Sequence, residues 1–122
     1  MDPDHLIELF AGFGRVTVRR MFSGFGIYAD GIMFGLAARD DVYLKADDTS
    51  SAAFAREGQG PFTYEAKGGK RVIMSYWRLP DRLYDDPDEL AEWARVALAV
   101  ARRAKAPKPR ARPKAPKAKR KR

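Results

Sequence analysis

The stretch Ile27-Tyr28-Ala29-Asp30-Gly31-Ile32-Met33-Phe34 decides the fold class. Two apolar, β-leaning runs flank Asp30-Gly31. A two-residue Asp-Gly connection suits the tight turn between antiparallel strands, because glycine accepts the positive φ that the turn needs. The spacing therefore predicts a hairpin, with its return strand over Ile32–Arg39. A second turn at Asp40-Asp41 leads into a further strand, Val42-Tyr43-Leu44-Lys45. Upstream, Val16–Phe22 leans to β, with Val16, Val18 and Arg20 alternating against Thr17, Arg19 and Met21. The glycine-spaced Ser23-Gly24-Phe25-Gly26 joins it to the hairpin. These runs favour an antiparallel meander.

Helical signals lie on either side. Asp2 can cap a first short helix, with Pro3 at its first position, Leu6, Leu9 and Phe10 on its apolar face, and Gly12 and Gly14 ending it. Asp47, Asp48, Thr49 and Ser50 offer caps for a second helix from about Ser50 to Glu57. Phe62–Glu65 and Arg71–Arg78 read as a strand pair around the turn Lys67–Lys70. The last helix is the clearest element. Asp86 is its cap, Pro87 its first residue, and Glu89 completes a capping box. Leu90, Trp93, Ala94, Ala97, Leu98 and Ala101 recur at the helical period. The expected fold is α+β, an antiparallel sheet with flanking helices in the order α-β-β-β-α-β-β-α.

Charge divides the chain in two. Of its 24 lysines and arginines, twelve lie between Arg102 and Arg122, where there is no acid; residues 1–101 hold the other twelve and all 16 acids. The expected organisation is a mildly acidic domain over 1–101, of net charge −4, and a tail over 102–122 of +12. Prolines 107, 109, 113 and 116 interrupt the tail, and its alanines are too small to bury much area, so composition predicts a disordered segment. The chain has no cysteine, which excludes a disulfide, a thiolate metal site and a cysteine nucleophile. An acidic N-terminus and the lack of any long apolar run point to a cytoplasmic protein without a membrane span.

Met21-Phe22-Ser23-Gly24-Phe25-Gly26-Ile27-Tyr28, with Arg20 before it and Gly31, Met33 and Phe34 after it, resembles the N-terminal domain of the TfoX/Sxy family. The likeness continues through Val42–Lys45 with Asp47, Gly60–Tyr64, Met74-Ser75-Tyr76 with Leu79-Pro80, and Trp93 with Ala97-Leu98. Ser23 departs from the glycine usual there, and the basic tail stands where longer family members have a second domain. The resemblance implies a fold like that of type III secretion chaperones and a competence-regulator-like, non-enzymatic role.

Each chemical candidate has a structural competitor. Gly24, Gly26 and Gly31 open onto a strand and a hairpin, whereas a phosphate-cradling loop opens onto a helix, so they read as turn and close-packing glycines. Arg15, Arg19 and Arg20 read as a solvated strand face paired with the acidic first helix. His5, the sole histidine, lacks a partnered nucleophile and reads as a surface or capping residue. Asp47, Asp48, Asp81, Asp85, Asp86, Asp88 and Glu89 precede predicted helices and read as caps. No catalytic site, metal or cofactor is expected. The binding candidates are Lys105, Lys108, Arg110, Arg112, Lys114, Lys117, Lys119, Arg120, Lys121 and Arg122, which would neutralise DNA or RNA phosphates without reading sequence. The competing reading is a protein-interaction or self-association module, with a protein partner or homodimer formed through the domain and a tail that only solubilises it.

Overall fold

Asp30 and Gly31 take φ of 53° and 76°, the pair of positive values whose twist matches the flanking strands. In the computed structural model, which describes residues 1–21 and 24–105, this turn joins β2 (Gly24–Ala29) to β3 (Ile32–Ala38). A second turn of the same kind leads from β3 to β4 (Asp41–Lys45). Its central residues are Arg39 and Asp40, at φ 52° and 70°, one position earlier than the sequence suggests. Neither is glycine, so partners outside the turn help to hold it. Arg39 donates to the Thr63 carbonyl at 3.2 Å, and Asp40 accepts from the N-terminal ammonium at 3.1 Å.

Three more strands, β1 (Thr17–Met21), β5 (Pro61–Ala66) and β6 (Gly69–Arg78), complete a six-stranded sheet in the order β1-β2-β3-β4-β6-β5. Every neighbouring pair is antiparallel. The helices are α1 (Pro3–Leu9), α2 (Ser51–Arg56) and α3 (Pro87–Lys105). The α+β class is as expected, with two corrections. The run Val16–Phe22 contributes a full strand, so four strands precede α2 rather than three. Gly24 and Gly26, expected in a connection, lie within β2, where they pair with Met21 and Arg19 of β1. The acids Asp81 and Asp85 bound a short 3-10 helix, which buries Leu83 completely.

Glycine inside β2 has a steric reason. A Cβ added at Gly24 would lie 2.1 Å from the Ala37 carbonyl oxygen, and one at Gly26 would meet the Met21 sulfur and the Tyr28 ring at 3.0 Å. The β2–β3 register shifts between Ile27 and Tyr28, which makes Phe34 the extra residue of a bulge. Phe34 is fully buried and meets Phe10 edge-on, ring centroids 5.6 Å apart.

The core lies between the sheet and α3. Ile27, Phe34, Val42 and Leu44 pack with Leu90, Ala94, Ala97 and Ala101, and Leu6 and Phe10 close it from α1. The alternate strand positions Tyr28, Met33, Lys45 and Tyr76 fall on the other face, paired Tyr28 with Met33 and Lys45 with Tyr76. Among the described residues no helix is long and apolar enough to cross a membrane.

The close approach at Gly24 sets a prediction. Gly24→Ala must displace backbone and should cost about 2–3 kcal/mol in urea unfolding. Gly60→Ala, with open space around the site and ordinary φ, should leave stability within about 0.5 kcal/mol. Equal effects of the two would refute the steric account.

Candidate nucleic-acid interface

The C-terminal end of α3 is where the candidate tail leaves the domain, so its anchoring comes first. Asp86 caps the helix, its Oδ1 accepting the Glu89 N–H at 3.1 Å. The reciprocal half of the expected capping box is not made. The Glu89 carboxylate instead accepts from Arg82 at 2.8 and 2.9 Å and from the Trp93 indole at 3.2 Å. Arg82 also donates to both oxygens of Glu57, at 3.1 and 2.7 Å. One guanidinium thus ties the end of α2 to the first turn of α3. Its hydrogen bonds hold the Glu57 and Glu89 carboxyls below their ordinary values, and the two carboxylates raise the Arg82 pKa.

At the far end, α3 continues past residue 101 to Lys105. Arg102 pairs with Asp30 of the β2–β3 turn, and Arg103 with Asp47 at 3.1 Å. Asp47 is itself fixed by a reciprocal pair: its Oδ1 accepts the Ser50 N–H at 2.8 Å, and its own N–H donates to Ser50 Oγ at 3.0 Å. The Ser50 amide, followed by Arg103, lowers the Asp47 pKa. The first two cations of the basic run are therefore helical and paired with acids of the domain. Lys105 closes the helix. The other nominated residues, Lys108, Arg110, Arg112, Lys114, Lys117, Lys119, Arg120, Lys121 and Arg122, lie outside the described residues.

The other sequence candidates fall into place as follows. His5 is exposed, and its backbone N–H donates to the Asp2 cap at 2.8 Å. Among the described residues no group of three or more His, Asp or Glu could hold a metal ion. Arg19 and Arg20 correct an expectation: among the described residues neither pairs with an acid of α1. Arg19 stands over the Tyr28 ring at 5.3 Å and Arg20 over Phe25 at 5.5 Å. The side chains are long enough to reach the aromatic across the ladder, and β2 presents one to each.

Sequence reading missed that this arrangement recurs. Lys45 Nζ lies 5.0 Å from the Tyr76 centroid, and the Arg39 guanidinium 5.9 Å from Phe62. Phe62 meets Tyr43 edge-on at 4.9 Å and stacks with Tyr64 at 6.1 Å. Burial, and after it Tyr28, raises the Tyr76 pKa. The one acid that the strand alternation brings to this face, Asp41, is bound by Arg78 at 3.0 Å. Alternation alone could have assigned Tyr28 and Tyr76 to a face. That both lie on one face of a single sheet depends on β4 pairing with β6 across α2, which no local signal encodes.

Residues 8–101 match the family model described as the TfoX N-terminal domain, and the chain belongs to that family. It is also similar to Protein Sxy of Escherichia coli (strain K12), 23% identical over 94 residues, which cover 77% of this chain and 44% of that protein. The chain thus spans less than half the length of the curated relative it matches.

The Arg82 bridge gives a pH prediction. Its carboxylates are depressed on folding, so their contribution is present above the ordinary glutamate value of 4.5 and is lost as pH falls through the lower folded-state values. Arg82→Gln should melt below the parent at pH 7, and the gap should narrow as the pH is taken below 4.5. A gap independent of pH would mean that Arg82 acts through packing alone.

Proposed function

We propose that this TfoX N-terminal-type protein is a non-enzymatic, regulatory, cytoplasmic protein held on nucleic acid by the basic segment after α3. The observation that carries the reading is the charge division. The domain spends Arg102 and Arg103 on Asp30 and Asp47, and ten more cations follow them with no acid among them. Such a segment binds phosphates by releasing counterions, with a salt slope of about 0.9 per phosphate on duplex DNA. It carries no aromatic residue, so it supplies no stacking and no base reading. The folded part, an α+β layer of the kind seen in secretion chaperones, then offers a protein contact. Tyr64, Val72 and Met74, 41–62% exposed on the β5–β6 hairpin, favour that second role.

Because α3 runs to Lys105, the test is a chain ending there rather than at residue 101. Full-length protein should bind duplex DNA, with affinity falling steeply from low to moderate salt. The shortened chain should lose at least about tenfold at low salt. Equal affinity of the two chains, or binding indifferent to salt, refutes the proposal.

A further inference from the structure

The sheet face opposite the helices carries a pattern that neither the tail nor the core explains. Five strands and one turn each supply a cation or an aromatic to it: Arg19 over Tyr28, Lys45 over Tyr76, and Arg39 over Phe62. Tyr28 and Tyr76 are half-buried rather than sealed. Their separation spans the two central strands, β3 and β4. The face is positive, since Arg78 satisfies its one acid, Asp41.

We infer that this face binds single-stranded nucleic acid. An unpaired strand offers what the surface lacks: negative charge at regular intervals and flat bases between the charges. Its phosphates would meet Arg19, Lys45 and Arg39. Its bases would stack on the tyrosine rings and on the guanidinium groups of Arg19 and Arg39, which Tyr28 and Phe62 hold. A duplex hides its bases and cannot use the rings, so the face discriminates between strand forms where the tail does not. A second copy of the chain would bring the same cations face to face, and like charges directly opposed disfavour that pairing.

The inference uses only residues of the folded domain and is independent of the tail reading. The test measures full-length protein against labelled oligo-dT and against a duplex of equal length at one moderate salt concentration. Tyr28→Leu with Tyr76→Leu keeps apolar volume and removes the stacking surface. It should weaken oligo-dT binding by about fivefold or more and change duplex binding by less than about twofold. Should the double variant fail to fold, Arg19→Gln with Lys45→Gln, the first exposed and the second half-buried, should reduce oligo-dT binding more than duplex binding. Unchanged oligo-dT affinity, or an equal loss on both ligands, overturns the inference. So does light scattering that shows the variants dissociating an oligomer, which would make the face a self-association surface. Absence of duplex binding by the parent chain would refute the tail proposal and leave this one standing.

Discussion

The close seating of α3 on the sheet is the contact on which the rest of the structure depends. Its stripe is built from small residues. Ala94, Ala97 and Ala101 are almost fully buried among Phe34, Val42 and Leu44. Alanines bury little area each, so the gain comes from distance: a helix without bulk on its inner face lies near the sheet and lets the larger strand side chains fill the space between its turns. Leu90 at one end of the stripe and Leu98 farther along add the larger apolar area. Phe10 and Leu6 then close the open edge of the same core, with Phe10 edge-on to Phe34.

Once α3 is seated, both its ends are tied to loops. Arg82 holds its first turn to α2, and Arg102 and Arg103 hold its last turn to Asp30 and Asp47. Exposed pairs of this kind contribute little stability each. Their effect is on direction: they fix where the chain leaves the domain, beside the β2–β3 turn and the start of α2. Several acids of the domain thereby have structural partners. Asp86 caps, Glu57 and Glu89 share one guanidinium, and Asp47 closes a turn while receiving Arg103.

The Asp30-Gly31 hairpin, the α3 stripe and the caps at Asp2 and Asp86 were legible in the sequence because each is local: a turn dipeptide, a period, a side chain reaching three residues. The strand β1 was only half legible. Its alternation is broken by Arg19 and Arg20, and only pairing with β2 makes those positions strand-like. The cation–aromatic face was legible only strand by strand, through alternation. Tyr28 and Tyr76 lie in different halves of the chain, and their place on one sheet face follows from α2 carrying β5 and β6 back beside β4. The capping box at Glu89 failed for a related reason, since a strong non-local partner, Arg82, outcompeted the local amide. Of the tail, residues 102–105 belong to α3, and residues 106–122, which lie outside the described part of the chain, are read from composition and charge.

The sheet has two edges as well as a face opposite the helices, and all three bear on what it can meet. The β1 edge carries Arg19 and Arg20, and β5 begins at Pro61, which lacks an amide donor. Charges and proline at edges oppose strand addition by another chain. A module evolved for sheet-to-sheet assembly would leave an edge neutral and its face apolar. Here the cations sit over aromatic rings on the face and along one edge, and the acid of that face, Asp41, is held by Arg78. The domain is acidic in sum, yet its charges are unevenly placed, so net charge alone misjudges what each surface attracts. Arg19, Lys45 and Arg39 each stand over an aromatic ring, so the sheet face carries a local charge opposite in sign to the total of −4.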